Sequence, residues 1–259
     1  MSIRVRILGP VQLWADGAGA SLGPAKRRAL LAALALERNR PVGLERLTAL
    51  LWPGPPPASA VVNIRSHVVM LRRVLASRIV SHRHGYQLIL NADELDLTEF
   101  ETLAETGRRA VRAGDPARAE PDLAASLRLW RGPAGDGVAP GTELEQRLQG
   151  LDEHRLHVVE DLVEVRLILG HAGDLVPLLR EHLAGHPLRE RAWAQLMLAH
   201  YRAGDPGAAL AAYREAHEIL RRQLGAGPGA ELIALRQAML ERSPSLDRPR
   251  NGSSGGHLS

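Results

Sequence analysis

The sequence contains no cysteine among its 259 residues. The chain can therefore form no disulfide framework, no thiolate metal site and no cysteine nucleophile. Its start, "MSIRVRILGPVQLW", lacks the apolar core of a signal peptide, and no uninterrupted apolar run approaches the ~18 residues of a membrane span. These absences predict a soluble cytoplasmic protein that does not bind membranes.

Sequence signatures of enzymes are also missing. The chain has no phosphate-cradling "GxxxxGK" and no "GxSxG", and "EHRLH" at 153–157 has the wrong order for the zinc helix "HExxH". We therefore predict that the protein is not an enzyme, and we expect no catalytic residue, no cofactor and no metal site.

Acidic residues are absent from one long segment. No Asp or Glu occurs between Glu45 and Asp93, and we call residues 46–92 the acid-free segment. It contains six arginines: Arg46, Arg65, Arg72, Arg73, Arg78 and Arg83. Residues 1–95 carry 13 Lys and Arg against 5 Asp and Glu, whereas the rest of the chain carries 20 against 24. This basic head indicates a polyanionic partner, and the alternative is a solvated basic face.

The head has the element order of a winged helix. Apolar alternation predicts two antiparallel strands before the turn signal Asp16-Gly17. Apolar residues at helical spacing predict helices after Pro24, from Leu44, and from about Ala58 to Leu75, with Ser59 as a candidate N-cap. "RIVSHRHGYQLIL" then predicts a hairpin that turns at residues 83–85.

The remainder of the chain has a purely helical pattern. "RAGDP" occurs at 112–116 and again at 202–206, and a related "HAGDL" at 171–175 follows the same helix-turn-helix pattern. The last two copies lie 31 residues apart, close to the ~34-residue period of tetratricopeptide repeats. The predicted fold is thus mixed: an α+β winged helix over 1–95, an all-α tetratricopeptide-like domain over 96–243 and a disordered tail over 244–259.

A winged helix places its third helix in the major groove of DNA and its hairpin tip near the minor groove or the backbone. Residues on the outer side of the third helix are candidates for contacts with base edges or flanking phosphates: Asn63, Arg65, Ser66 and Met70. Candidates for phosphate contacts are Lys26, Arg27, Arg72 and Arg73. Arg83 at the hairpin tip is the candidate for the minor groove.

Several of these residues have a second interpretation. Met70 is equally compatible with filling a gap beside the core, and His67 with packing or with a phosphate contact. His82 and His84 flank one residue on a strand without a third ligand nearby, so a solvated or phosphate-facing pair is favoured over a metal site.

Several segments together resemble the Streptomyces antibiotic regulatory proteins. They include "RILGPVQLW", "GPAKRRALLAALAL", "NIRSHVVMLRRVL", "HGYQL" and "LRERAWAQLMLAHYRAGDPGAALAAYREAHEILRRQL", and the resemblance covers roughly residues 3–243. It implies a winged helix of the response-regulator output type followed by a bacterial transcriptional activation domain. Members of this family activate secondary-metabolite gene clusters, bind direct repeats near promoters and recruit RNA polymerase.

By this resemblance Asn63, Arg65, Ser66, Met70 and Arg72 match groove-facing positions, and His82, Arg83 and His84 match the wing. Output domains of this type often carry arginine where this chain has Met70, so an apolar contact with a thymine methyl is expected there. The resemblance implies as partners double-stranded DNA with direct repeats, further copies of the chain in tandem, and RNA polymerase, with a nucleoid location. It also suggests a short family member without receiver or sensor regions. The alternative function is a protein-interaction scaffold with an incidental basic head.

Overall fold

The fold is given by a computed structural model, which describes residues 2–246. This part of the chain is mostly helical, with two small β-sheets near the N-terminus. It divides into two compact units. The first runs up to Thr106 and resumes over Asp122–Val158, and the second comprises Gly107–Pro121 and the described residues from Val159 onward. The domain boundary after residue 95, which follows the change in sequence pattern, stays a prediction.

The first sheet is antiparallel, in the order β1 (Ile3–Arg6), β2 (Gln12–Ala15) and β3 (Ala18–Ala20). The first two strands were predicted, because apolar residues alternate with polar ones along both. The turn signal Asp16-Gly17 is also confirmed, with φ values of 48° and 81° that a two-residue hairpin requires. β3 was missed because Ala-Gly-Ala contains no apolar alternation.

The first two helices are α1 (Ala25–Leu36) and α2 (Leu44–Leu51). Pro24 stands at the N-cap of α1 with φ −66°, the value that its ring imposes. α2 ends before Pro53, which cannot continue a helix. The leucines whose helical spacing predicts these two helices are buried: Leu30, Leu31, Leu34, Leu47, Leu50 and Leu51.

The third helix, α3 (Ala60–Leu75), carries the predicted buried stripe. Its members are each at most 1% exposed: Ile64, Val68, Leu71 and Leu75. The helix begins two residues later than predicted. Ser59 occupies the N-cap position, but its side chain makes no capping hydrogen bond, so the predicted capping role is wrong.

The second sheet has the order β4 (Val42–Gly43), β6 (Gly85–Leu88) and β5 (Ile79–His82). β5 and β6 form the predicted hairpin, with His82 opposite Gly85. The two-residue strand β4 was not predicted. It approaches β6 so closely that a Cβ at Gly85 would lie 1.9 Å from the carbonyl oxygen of Val42, so this position requires glycine.

A buried carboxylate joins the first sheet to the next helix, α4 (Asp96–Arg112). Asp96 is 2% exposed, and its carboxylate accepts hydrogen bonds from the backbone N–H groups of Ile7 at 2.9 and 3.0 Å and Leu8 at 3.1 Å. Nη2 of Arg131 donates to the same carboxylate at 3.1 Å. Burial raises the pKa of Asp96, and these hydrogen bonds and the Arg131 charge oppose that shift. Asp96 thereby fixes the end of β1 beside the start of α4.

Helices make up the rest of the chain. They are α5 (Pro116–Arg128), α6 (Thr142–Leu169), α7 (Ala172–Gly185), α8 (Glu190–Arg202), α9 (Pro206–Leu224) and α10 (Ala230–Leu240). In the part of the chain that the structure describes, no helix is both long enough and apolar enough to span a membrane.

The two "RAGDP" copies form the predicted turns between helices. The Gly, Asp and Pro of the motif each have a physical reason. Gly114 and Gly204 have φ values of 77° and 88°, the left-handed conformation in which helices commonly end. Asp205 then caps α9, since its carboxylate accepts a hydrogen bond from the Ala208 N–H at 2.8 Å. The following proline starts the next helix, where its missing N–H costs nothing.

The third copy, "HAGDL", does not form the same turn. Its glycine, Gly173, lies inside α7, and the left-handed residue is the preceding Gly170, with φ 94°. Leu175 replaces the proline that begins a helix in the other copies. The predicted helix-turn-helix is present at this copy, but its turn lies at Gly170 and His171, so the motif residues have other positions than in the two "RAGDP" copies.

Trp193 lies at the centre of the second unit's core and is 1% exposed. It packs among α7, α8 and α9 with Leu179, Met197 and Ala212. At the C-terminal side Pro244–Leu246 form a 3-10 turn that buries Leu246, whereas the predicted disordered tail began at residue 244. Residues 247–259 of that tail lie outside the described residues.

Candidate nucleic-acid interface

Two arginines of the acid-free segment are neutralised by acids from elsewhere in the first unit. Arg46 pairs with Glu143 at 2.7 Å and with Glu37 at 3.5 Å, and Arg78 pairs with Glu94 at 2.6 Å. The other four form no ion pair with a carboxylate anywhere in residues 2–246: Arg65, Arg72, Arg73 and Arg83. All four lie on α3 or at the tip of the β5–β6 hairpin, so the uncompensated charge of the acid-free segment lies on these two elements.

The outer side of α3 presents four of the predicted residues to solvent. Asn63, Arg65, Ser66 and Arg73 are exposed, whereas Met70 is half-buried. The Asn63 side chain donates only a long hydrogen bond of 3.4 Å to the Ser59 hydroxyl. Its carboxamide is therefore available for a base edge.

Two valines on the same side of α3 were missed by the sequence analysis. Val62 and Val69 are 64% and 58% exposed, although valine is among the residues most often buried. Together with Ser66 and Arg73 they follow the spacing i, i+4, i+7, i+11, which is one stripe of a helix. The outer stripe has the same residue spacing as the buried stripe of α3 and lies two residues earlier in the chain. This spacing is the sequence signal that could have identified the two valines.

Arg72 fastens α3 to the hairpin. Its Nε and Nη2 donate to the carbonyl oxygen of Ile79 at 3.1 and 2.9 Å, and Nη2 also donates to the Ser81 hydroxyl at 2.8 Å. The guanidinium lies 5.9 Å from the ring centroid of Tyr86. Arg72 was predicted as a phosphate contact, and the structure adds a positioning role that its sequence neighbours did not indicate.

The hairpin tip is exposed at all three predicted wing residues, His82, Arg83 and His84. The backbone carbonyl of His84 accepts a hydrogen bond from the Leu44 N–H at 2.7 Å, which holds the tip against the start of α2. Nε2 of His82 lies 2.7 Å from Oε1 of Gln87. Among the described residues, no group of three or more His, Asp or Glu side chains is arranged to hold a metal ion.

Lys26, predicted as a phosphate contact, also binds backbone carbonyls of the first unit. Its ammonium donates to the carbonyl oxygens of Leu51 and, at 3.0 Å, Ala139, and it lies 5.2 Å from the centroid of the Trp52 ring. Burial lowers the pKa of Lys26. The side chain satisfies carbonyls at the end of α2 inside the first unit. The sequence did not predict this role, because these carbonyls are remote from Lys26 in the chain, and the phosphate contact of Lys26 stays a prediction.

His67 and Arg27 lie at the α1 side of α3, and both are half-buried. Burial, and next the charge of Arg27, lower the pKa of His67. A neutral imidazole is favoured, which brings no charge to a phosphate. Of the two interpretations of His67, packing is the one that this environment supports.

Comparisons with known proteins show the family of the chain. The model of the bacterial transcriptional activator domain matches residues 95–240. The chain is 35% identical over 249 residues to regulatory protein AfsR of Streptomyces griseus, covering 96% of this chain but 26% of AfsR. It is 32% identical over 258 residues to regulatory protein DnrI of Streptomyces peucetius, covering 95% of each. The chain thus spans about a quarter of AfsR and nearly all of DnrI.

A solved structure is also similar. Mycobacterium tuberculosis EmbR, determined in complex with a low-affinity phosphopeptide, matches with a TM-score of 0.89 and 33% sequence identity. The match covers 93% of this chain and 66% of the EmbR chain. The similarity therefore extends to most of the described fold.

Proposed function

Because the chain belongs to the Streptomyces antibiotic regulatory protein family, we propose that it is a sequence-specific DNA-binding activator of transcription, acting on a secondary-metabolite gene cluster. One observation carries the DNA-binding proposal: Arg65, Arg72 and Arg73 on α3, and Arg83 on the hairpin that Arg72 ties to α3, form no ion pair within the described residues. DNA phosphates supply the negative charge that the segment lacks.

In this proposal the first unit contains a winged helix. α3 enters the major groove, and the β5–β6 hairpin reaches the minor groove or the adjacent backbone with Arg83. Arg73 and Arg27 contact phosphates, while Arg72 holds the hairpin at a fixed angle and leaves its remaining donors for the backbone. Because Arg72 holds α3 and the hairpin together, both elements can contact the same duplex.

Base reading falls to the outer stripe of α3. Asn63 is suited to adenine, which offers an acceptor and a donor to a carboxamide, and Arg65 to guanine. Val62 and Val69 have only apolar surface to offer, and the thymine methyl is the apolar group of the major groove. We therefore expect the operator to contain thymine at the positions under these valines. Met70, half-buried, has a smaller part in this contact.

The remaining features of the proposal concern assembly. Copies of the chain bind direct repeats in tandem, head to tail, on one face of the duplex. The tetratricopeptide-like helices contact the neighbouring copy and RNA polymerase, and the protein acts in the cytoplasm at the nucleoid. The competing proposal, a scaffold whose basic head is incidental, predicts partner binding that does not depend on salt and no preferred DNA sequence.

The test is selection from a random duplex library with the full-length chain at near-physiological salt. We use the whole chain because a fragment ending at residue 95 would lose Asp96 and its hydrogen bonds to Ile7 and Leu8. Enrichment of tandem repeats spaced by about one helical turn is the expected result. Selected duplexes that share no common sequence at near-physiological salt would contradict the proposal.

A matched pair of variants locates the binding surface. Arg73→Ala removes an exposed arginine without a carboxylate partner, and Arg46→Ala removes one that is 50% exposed and paired with acids. We expect the first to weaken binding to the selected DNA and the second to leave it unchanged. Equal effects would mean that the surface is elsewhere.

A further inference from the structure

The second unit carries an open groove between α9 and α10, with a volume of about 610 Å³. α9 lines it with Leu210, Tyr213, Arg214 and His217, and α10 with Arg236 and Leu240. The spacing places each set on one face of its helix. None of these residues belongs to the surface proposed to bind DNA.

The floor and edge of this groove are apolar. Leu210 and Tyr213 are partly buried and pack against the core of the second unit, so the floor is fixed in place. Leu240 is 50% exposed, and Ile233, two helical turns earlier on α10, is 46% exposed. At the end of α9, on the stripe that contains His217, Leu224 is 58% exposed. Large apolar side chains exposed together mark surfaces that bind other proteins.

The groove also carries uncompensated positive charge. The Arg236 guanidinium lies 5.1 Å from the ring centroid of Tyr213, and Arg214 is exposed. Neither arginine forms an ion pair with an acid of the described residues, and no lining residue is acidic. The acid next to Arg214, Glu215, is held by Arg180 at 2.5 Å. The carboxylates of a partner that covers the groove can therefore pair with both arginines.

We propose that this groove binds an acidic amphipathic helix of a partner protein. Its apolar side chains cover Leu240 and Ile233, and its Asp or Glu side chains pair with Arg214 and Arg236. Arginine and tyrosine are among the residues that dominate the energy of protein interfaces. A nucleic acid would satisfy the arginines but leave the leucine exposed. The proposal does not depend on DNA binding, since it uses no residue of the first unit.

The test is a selection of random peptides, long enough for about four helical turns, displayed on phage against the immobilised full-length chain without DNA. We expect enriched peptides to combine apolar residues at i, i+3 or i+4, and i+7 with flanking Asp and Glu. Failure to enrich any acidic peptide with this apolar spacing would overturn the proposal.

Variants then locate the binding of an enriched peptide, measured by fluorescence anisotropy. Arg236→Glu and Leu240→Ser are each expected to raise its Kd at least about tenfold. Arg222→Glu makes the same charge change on the exposed surface of α9 outside the groove and should change the Kd by less than about twofold. Unchanged melting temperatures show that the variants fold. Equal Kd values for the groove variants and the control would overturn the proposal.

Discussion

The arginines of two regions of this protein differ in whether an acidic side chain neutralises them. In the second unit, a group of arginines is neutralised by neighbouring acids at 2.5–2.9 Å: Arg108, Arg166, Arg180, Arg189 and Arg191. On α3 and the hairpin, Arg65, Arg73 and Arg83 have no such partner among the described residues. The residue type does not separate the two cases. What separates them is whether a carboxylate lies within ion-pair distance. Arginines with such a carboxylate stabilise the fold, and arginines without one are available to bind a partner.

Glu160 is the most buried acid of the paired region, at 2% exposure. Its carboxylate accepts from Arg189 at 2.5 Å and lies 3.5 Å from Nε2 of His182. Its backbone carbonyl oxygen accepts from the Gln195 side chain at 2.8 Å. Glu160 thus joins α6, α7 and α8 of the second unit.

Removing this acid is expected to have the largest effect. Glu160→Ala leaves the partly buried Arg189 without its carboxylate, which should lower the free energy of unfolding by about 3 kcal/mol or more. Glu164→Ala removes a 53% exposed acid from Arg191 and should cost at most about 1 kcal/mol. Urea unfolding of both variants measures the difference. Similar losses would mean that burial does not set the strength of these pairs.

The same residue predicts how stability depends on pH. Burial alone would raise the pKa of Glu160, but the neighbouring His182 side chain and the hydrogen bonds and charge of Arg189 outweigh it and lower the pKa to about 2 from 4.5. A pKa lowered by folding stabilises the protein above pH 4.5, and this contribution, about 3 kcal/mol, is lost as the pH falls toward 2. Glu160→Gln should flatten stability over this window in urea titrations. An unchanged pH profile would contradict the assignment.

Adjacent arginines of α3 sharpen the comparison within one helix. Arg72→Ala removes hydrogen bonds between α3 and the hairpin, so we expect a loss of about 1 kcal/mol in stability as well as weaker DNA binding. Arg73→Ala should leave stability unchanged and lower the slope of log K against log salt by about one. Unfolding curves and salt titrations of affinity measure the two effects. Identical behaviour of the two variants would refute the separate roles.

The smallest expected effect is at the valines. Val69→Ala should reduce the preference for thymine at one operator position by about 1 kcal/mol, without altering the salt dependence. Val62→Ala should act at a different position of the same site. Repeating the library selection with each variant measures these preferences, and a uniform loss across all sequences would indicate a packing role instead.

Periodicity was sufficient to predict the elements that position this surface. The buried stripe of α3, the β5–β6 hairpin and the "RAGDP" turns all follow from residues close together in the chain. The roles that the sequence did not predict depend on residues that are far apart in the chain. Lys26 satisfies Ala139, 113 residues away, and β4 is only two residues long and pairs with β6. Local patterns carry no information about such partners, because only the folded chain brings them together.

The carboxylate of Asp96 bears on how regulators of this family exchange parts. It is the second residue of the segment that matches the bacterial transcriptional activator domain, yet it completes the backbone hydrogen bonding of the opening sheet. A recombinant gene that joined this head at residue 95 to foreign sequence without an equivalent carboxylate would leave the amide groups of Ile7 and Leu8 without their acceptor. Chimaeras of this chain are therefore expected to fold better when their junction lies downstream of Asp96.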